Sequence, residues 1–262
     1  MSTQDITYAG LAYIYLMLAF PLVIITVYRT GLTRSTLVSI VRMSVQLVLV
    51  GVYLEFIFTL NNPFLNGGWV LVMISVAAAN VAGSAGLRKR RLLLQIGAAI
   101  ALSTLGVVAV FLGAALRPDP VYDARYLIPI GGMILGNCMR GNIVGLERFF
   151  SGIRENRKEY LSALFMGATV AEAVRPWMRR ALVAALAPTI STMATMGIVS
   201  LPGMMTGQIL GGADPLTAIR YQMAIMVAIT VSVALGAWLN IVLCMRAAFD
   251  EYGVLRTDIF TS

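Results

Sequence analysis

The stretch SLPGMMTGQILGGADP, residues 200–215, sets the strongest constraint on the fold of this chain. It combines apolar side chains with Pro202, Pro215 and several glycines, and its one charged residue is Asp214. Proline and glycine interrupt helices, whereas the sequence on both sides is apolar enough for helices that cross a membrane. The stretch therefore predicts a broken helix at membrane depth, followed by a turn at residues 211–215 that opens the next helix.

The composition of the whole chain indicates a membrane protein. Of its 262 residues, 59% are hydrophobic and 12% are charged, and the mean hydropathy is +0.83. Soluble domains carry about 25% charged residues. The short alternating segments of a membrane β-barrel are absent from the sequence. We therefore expect an all-α, polytopic fold in which residues 1–262 form a single transmembrane domain.

About seven segments are long and apolar enough to cross about 30 Å of hydrocarbon as helices. An amphipathic helix and a short capped helix are expected between the fifth and the sixth. The seven predicted segments are Tyr8 to Tyr28, Thr36 to Leu60, Gly68 to Gly86, Leu92 to Leu116, Leu127 to Val144, Ala181 to Leu210 and Leu216 to Met245.

The lysines and arginines predict the orientation of these segments. With the N-terminus outside and the C-terminus in the cytosol, only Arg117, Arg125 and Arg220 of the 20 basic residues fall on the outer side. Basic residues concentrate on the cytoplasmic side of membrane proteins. This bias also accounts for the net charge of +8, so the charge does not call for a nucleic-acid partner.

The segment at about residues 145–180 is predicted to lie in the cytosol. Thr169 and Glu172 have the spacing of a capping box, Gly167 suits the end of the preceding helix, and Pro176 suits the start of the next one. A short helix held between two sharp turns favours docking to another protein. The amphipathic helix before it could equally lie among lipid headgroups. Its apolar positions are Leu146, Phe149, Phe150, Ile153, Tyr160, Leu161, Leu164 and Phe165.

Several kinds of catalytic site are excluded by the residues themselves. The chain has no histidine, which removes imidazole metal ligands and Ser-His or Cys-His nucleophile pairs. It contains neither a phosphate-binding G-x-x-x-x-G-K-[ST] loop nor a CxxC pair. We therefore expect no enzymatic centre and no cofactor bound by this chain.

Polar side chains within the predicted helices are candidates for a transport pathway, because burying them in lipid is costly. Gln46 and Glu55 lie in the second segment, and Asn137 lies in the fifth. Glu55 could instead extend to the outer surface, and Gln46 could serve as a hydrogen-bonding contact between helices. Asn137 stands among glycines, of which Gly132 and Gly136 have the spacing of a close helix–helix contact.

The sixth segment is too long for one simple crossing. Its 30 residues would measure about 45 Å as a straight helix. We expect the helix to break at Pro202 and Gly203 and to face the pathway, with Met204, Met205 and Gln208 as lining residues. The methionines could equally serve as adaptable packing.

Two blocks of sequence give the chain a resemblance to a known family. The motif IPIGGMILGN at 128–137, and SLPGMM at 200–205 followed by DPLTAIRYQM at 214–223, are similar to the FetB-type permease family. These permeases are membrane subunits of ABC transporters implicated in bacterial iron export, with plant relatives linked to aluminium tolerance. The resemblance spans nearly the whole chain.

The resemblance implies partners and a location. A separate ABC-type ATP-binding subunit would carry ATP and Mg, and two permease subunits would pair as a homodimer in the bacterial inner membrane. The segment MGATVAEAVRPW at 166–177 resembles the coupling loop of ABC permeases. That likeness assigns contact with the ATPase to Gly167, Ala168, Thr169, Glu172 and Arg175. Neither the residues nor the resemblance identifies metal ligands.

Two other functions fit the same sequence. A secondary transporter driven by an ion gradient would need ionisable residues at mid-depth, and Glu55 is the only acid well inside a segment. A membrane scaffold without transport would need only a docking surface.

Overall fold

The structure is a computed structural model that describes residues 6–260, apart from the side chains of residues 89–91. Over these residues it contains helices and no strand, which confirms the all-α expectation. The helices are α1 (Tyr8–Leu16), α2 (Ala19–Val27), α3 (Thr33–Leu60), α4 (Pro63–Ser84), α5 (Lys89–Val110), α6 (Ala124–Glu155), α7 (Arg157–Phe165), α8 (Val170–Ala173), α9 (Arg175–Thr195), α10 (Gly203–Leu210) and α11 (Pro215–Ala248). A π-helical turn at Phe111–Leu116 extends α5, and a 3-10 turn lies at Thr257–Ile259.

Five stretches of the described chain are long and apolar enough to cross a membrane. They are Tyr8–Val27, Thr33–Leu60, Pro63–Ser84, Leu92–Leu116 and Pro215–Ala248, and each matches a predicted segment. The predicted fifth segment is part of α6, which has 32 residues, and the predicted sixth is divided between α9 and α10. The polytopic fold is confirmed, whereas the number of seven crossings stays a prediction.

The bundle core consists of α4, α5, α6, α9 and α11, and small residues bring its helices together. Gly141 of α6 faces Val233 of α11, where an added Cβ would lie 2.6 Å from Cγ1 of that valine. Gly145, one turn later, faces Ala185 of α9 at 3.5 Å. The close approach thus falls at Gly141 and Gly145, and not at Gly136, which has no neighbour within 4 Å.

Polar side chains connect α6 to α11 inside this core. The Asn240 amide donates to the Asn142 carbonyl oxygen at 2.6 Å, and the Asn142 amide donates to the Cys138 carbonyl at 2.7 Å. The Cys138 thiol donates to the Ser232 carbonyl at 3.4 Å. All four residues are fully buried. Hydrogen bonds of this kind hold helices together where hydrophobic burial cannot, because lipid is itself apolar.

The predicted sixth helix is interrupted by the seven residues 196–202, and not only at Pro202 and Gly203. Helix α9 ends at Thr195, residues 196–202 are irregular, and α10 begins at Gly203 directly after Pro202. Gly197 adopts a positive φ of 84°, a conformation that glycine tolerates best. The expectation of one helix reaching Pro202 is therefore wrong, because the chain turns at Gly197 before it reaches the proline.

Helices α1 and α2 lie outside the core. Neither contains a buried residue, and α3 buries only Ile57 within the chain. The predicted first segment is also interrupted, since α1 ends at Leu16 and α2 begins at Ala19.

The amphipathic face predicted after the fifth segment is covered by protein and not by lipid headgroups. Its first half continues α6, and its second half is α7. Phe149, Phe150, Ile153 and Tyr160 are each at most 1% exposed and belong to the main apolar core. The alternative that this face rests on lipid is therefore wrong for these four residues.

The bundle has two distinct ends. At one end, which we call the α8 end, α7 and α8 pack near the α4–α5 turn and the C-terminal tail, residues 249–260. The backbone N–H of Arg88 there donates to the carbonyl of Ile259 at 2.7 Å. At the opposite end, the α3–α4 turn meets the start of α6, where the N–H of Ala124 donates to Asn61 Oδ1 at 3.0 Å.

Candidate functional site

A cavity of about 690 Å³ lies between α6, α9, α11 and the irregular segment 196–202. The segment between α9 and α10 is irregular, and Met196, Ser200 and Pro202 from it line the cavity. The lining residues that matter for its chemistry are Met133, Asn137, Arg140, Thr189, Thr192, Met196, Ser200, Met204, Gln222 and Met226.

Of the residues that the structure describes, Arg140 is the one charged residue that lines this cavity, and no Asp, Glu, His or Cys lines it. Its guanidinium donates to Asn137 Oδ1 at 3.3 Å and to the Gly136 carbonyl at 3.4 Å. Gln222, only 7% exposed, donates to the Met196 sulfur at 3.9 Å. The remaining polar lining consists of hydroxyls, so the site presents a positive charge, amides and hydroxyls.

The structure places only some of the predicted pathway residues at the cavity. Asn137 and Met204 line the cavity, together with the predicted break at Pro202 and Gly203. Met205 and Gln208 lie on α10 beside it but are not among its lining residues.

The two candidates in the second segment lie elsewhere. Gln46 and Glu55 are exposed on α3, which packs only lightly on the bundle core. In the described part of the chain, no group of three or more His, Cys, Asp or Glu side chains could hold a metal ion.

Sequence reasoning missed the most polar residues of the cavity. Arg140 follows Asn137 by three positions, so the two share a face of α6, and this spacing was the available signal. We grouped Arg140 with the cytoplasmic charges instead. Gln222 lies within the family motif, but its place in the cavity wall depends on how α11 packs, which local sequence does not show.

The segment at residues 166–177 has the capped geometry that its sequence predicts. The Thr169 hydroxyl accepts the Glu172 N–H at 3.3 Å, and Glu172 Oε2 accepts from the Thr169 hydroxyl at 2.7 Å and from its N–H at 2.8 Å. These bonds lower the pKa of the Glu172 carboxyl below its usual value. Gly167 ends α7 with a positive φ of 92°, so that α8 turns away sharply.

The short helix α8 packs against α7, α9 and the C-terminal tail. The Tyr160 hydroxyl donates to the Gly253 carbonyl at 2.6 Å, and a Cβ on Gly253 would lie 2.6 Å from Val170 of α8. The Tyr160 ring also packs edge-on to Trp177, with centroids 5.9 Å apart. The tail thus fixes the position of α8 relative to the bundle.

The opposite surface of this segment is open. Phe165 and Met166 are 86% and 83% exposed at the end of α7, directly before α8. Of the residues assigned to ATPase contact, Ala168 is half-buried, whereas Gly167, Thr169, Glu172 and Arg175 are exposed. The sequence did not indicate this exposed pair. Phe165 was assigned to the apolar face of the amphipathic helix, and Met166 was not singled out.

The comparisons with known proteins agree with this architecture. The model of the family described as Uncharacterised protein family (UPF0014) matches residues 8–249. The chain belongs to the UPF0014 family. This confirms the resemblance to FetB-type permeases, because the E. coli relative reported next carries that name.

Three relatives show the range of the family. This UPF0014 chain is 36% identical over 215 residues to the UPF0014 membrane protein slr1647 of Synechocystis sp., covering 80% of this chain and 82% of the relative. It is 33% identical over 236 residues to Protein ALUMINUM SENSITIVE 3 of Arabidopsis thaliana, covering 88% and 84%. It is 29% identical over 225 residues to the Probable iron export permease protein FetB of Escherichia coli, covering 86% and 85%. No solved structure matches the chain.

The Tyr160–Gly253 contact makes the UPF0014 chain sensitive to alkaline pH. Burial raises the pKa of Tyr160 to about 12, and the carboxylate of Asp250 adds to the rise. An unfolded tyrosine ionises near pH 10. Between about pH 10 and pH 12 the unfolded state therefore loses its proton first, and the free energy of unfolding falls as pH rises, by at most about 1.4 kcal/mol per pH unit.

We expect Tyr160→Phe to remove this slope and to lower stability at neutral pH by about 1 kcal/mol, because it deletes one buried hydrogen bond. Thermal unfolding of the detergent-solubilised chain at several pH values measures both effects. Tyr252→Phe is the matched control, since Tyr252 is 85% exposed. An unchanged pH slope in Tyr160→Phe would contradict the expected role of the phenol.

Proposed function

We propose that this UPF0014 chain is the membrane-spanning permease subunit of an ABC transporter that exports a metal ion such as iron from the cytosol. The E. coli relative, which aligns over 86% of this chain, is named a probable iron export permease, and this name supports the proposal. The chain has no phosphate-binding loop of its own, so ATP and Mg belong on a separate subunit.

The observation that carries the proposal is the surface at the α8 end. A capped helix of four residues stands between two turns, and Phe165 and Met166 project beside it. Large apolar side chains on an exposed surface outside the spans mark a protein contact. We assign this surface to the ATP-binding subunit, which places the α8 end and the C-terminus in the cytosol and the N-terminus outside.

The same surface is joined to the cavity by one helix. Helix α9 begins at Arg175, directly after α8, and ends at Thr195, where the irregular lining segment starts. A movement of α8 driven by ATP binding is therefore passed along α9 to the cavity wall. This connection supplies the mechanical basis for alternating access.

The assembly that we propose contains two permease subunits and two ATP-binding subunits in the bacterial inner membrane. In a single chain, α1 and α2 bury no residue, and the polar Arg42 and Gln46 of α3 are exposed. Polar residues at membrane depth are normally covered by protein or water. A second copy of the chain would cover this face of α3.

The proposal is tested by reconstitution with a candidate ABC-type P-loop ATPase subunit. Vesicles holding both proteins are expected to hydrolyse ATP faster than the ATPase alone and to move radioactive iron only when ATP is present. The permease alone is the control and is expected to hydrolyse no ATP. Iron flux driven by an ion gradient without the ATPase would indicate a secondary transporter, and binding of the ATPase without flux would indicate a scaffold.

A further inference from the structure

The cavity has an uncompensated positive charge. The hydrogen-bond acceptors of the Arg140 guanidinium are neutral oxygens, Asn137 Oδ1 and the Gly136 carbonyl. Among the described residues, no acidic side chain lines the cavity. Arg140 is exposed in the single chain, so water reaches its guanidinium. The opposite charge that the lining lacks would come from an anion that enters the cavity.

Arg140 does not extend to the cytoplasmic surface to escape the membrane. It lies 16 residues after the start of α6 at Ala124 and 15 before its end at Glu155. A residue that snorkels toward the cytosol would direct its charged group toward the C-terminal end of α6. The guanidinium instead bonds residues 136 and 137, one turn toward the opposite end, and so stays at the cavity.

A second donor lines another part of the same cavity. Gln222 of α11 is 7% exposed, and its amide N–H reaches the sulfur of Met196 at 3.9 Å. A thioether is a weak acceptor, so this amide gives up little when an oxygen replaces the sulfur. An arginine fork recognises carboxylate or phosphate oxygens, and an amide elsewhere on the cavity wall can hydrogen-bond another oxygen of the same cargo.

The same lining is unsuited to a bare metal cation. Hard cations are bound by carboxylate and carbonyl oxygens, and transition metals by imidazole or thiolate. Among the described lining residues, the amides of Asn137 and Gln222 carry carbonyl oxygens, but no side chain is a carboxylate, an imidazole or a thiolate, so no group neutralises a cation. Four methionines line the cavity, Met133, Met196, Met204 and Met226, but thioethers are uncharged. A cation beside them would also be repelled by Arg140, and the repulsion is strong in a medium of low dielectric constant.

We infer that this cavity binds the carboxylate or phosphate oxygens of an anionic cargo, with Arg140 as the charged anchor and Gln222 as the second donor. The methionines supply an apolar wall for the rest of the cargo. The inference deepens the proposed transport function and rests on it for its biological role: a metal passes this point as an anionic oxygen chelate and not as a free ion.

The test is calorimetric binding to the whole chain in lipid nanodiscs, with citrate, ferric citrate, inorganic phosphate and Fe²⁺ as separate probes. At least one of the three anionic probes is expected to bind, with Fe²⁺ weaker than any anion that does. Citrate binding without phosphate binding identifies a carboxylate site, and the reverse identifies a phosphate site. Arg140→Gln is expected to weaken anion binding about tenfold or more, and Arg140→Lys to weaken it less.

Arg246→Gln is the matched control, because Arg246 is an exposed arginine at the end of α11 that does not line the cavity. Gln222→Leu provides a second variant that leaves the charge in place, and it is expected to weaken anion binding about threefold to tenfold through the lost hydrogen bond. Stronger binding of Fe²⁺ than of every anion, or anion binding unchanged in both Arg140→Gln and Gln222→Leu, overturns the inference.

The anion-binding test and the test of the proposed function can fail independently, since anion binding is measured without the ATPase. ATP-driven export of free iron by Arg140→Gln at the native rate would refute the anion site and leave the ABC permease standing. Anion binding that depends on Arg140, in a chain that stimulates no ATPase, would support the anion site and refute the ABC permease.

Discussion

Gly236→Ala is expected to destabilise the helix bundle by about 2 kcal/mol or more, the largest stability loss we anticipate for a single added methyl group. The new Cβ would lie 2.6 Å from Cys138 Sγ, 2.8 Å from Asn142 Nδ2 and 3.1 Å from Ser103 Oγ. These atoms belong to short, buried side chains that already hydrogen-bond one another. They cannot withdraw without breaking the bonds between α5, α6 and α11, so the helices themselves must separate.

Thermal unfolding of the purified chain in detergent measures this effect. The control is Gly136→Ala on α6, because no atom lies within 4 Å of the Cβ it adds. That variant is expected to be neutral or slightly more stable, since alanine favours a helix by up to about 1 kcal/mol over glycine. Equal stability of the two variants would mean that α11 does not approach α5 and α6 this closely.

The double variant Phe165→Ser/Met166→Ser is expected to reduce stimulation of the partner ATPase about tenfold or more, with little change in the stability of the chain alone. Both side chains are more than four-fifths exposed, so their removal leaves no cavity in the bundle. A few large apolar residues at the centre of a protein contact usually carry most of its binding energy. The measurement is ATP hydrolysis in vesicles as a function of ATPase concentration.

Phe64→Ser is the matched control for this double variant. Phe64 is 89% exposed, close to the 86% of Phe165, but it lies in the first turn of α4 at the opposite end of the bundle. Its loss is expected to leave ATPase stimulation unchanged. If the Phe165→Ser/Met166→Ser chain stimulated the ATPase fully, the α8 end would not be the surface that binds the ATPase. Another exposed surface would then be the docking site.

Features that depend on nearby residues could be predicted from the sequence. The capping box needs only Thr169 and Glu172, three residues apart, and its geometry is present as expected. The apolar segments predicted five helices that are long enough to cross a membrane, because length and composition are local properties. The helix-breaking character of Pro202 and Gly203 also placed the start of α10 correctly.

Features that depend on distant contacts could not be predicted in the same way. Asn142 and Asn240 are 98 residues apart, and Tyr160 and Gly253 are 93 apart. Nothing in the local sequence distinguishes Gly236, which is tightly enclosed, from Gly136, which faces open space. The helix break was placed too late for a related reason: Gly197 turns the chain, but an isolated glycine in an apolar segment does not by itself predict a turn.

Helix α9 has the proportions of a lever. Its 21 residues span about 32 Å, with α8 attached at one end and the cavity wall at the other. If α9 tilts by about 5° about its α8 end, its other end at the cavity therefore moves by about 3 Å, roughly the diameter of a water molecule. Pro188 lies within α9 and removes one backbone hydrogen bond, which makes it the place where the rod can flex. A substitution that makes α9 more rigid at Pro188 would therefore change how far the cavity wall moves, without changing the residues at either end of the helix.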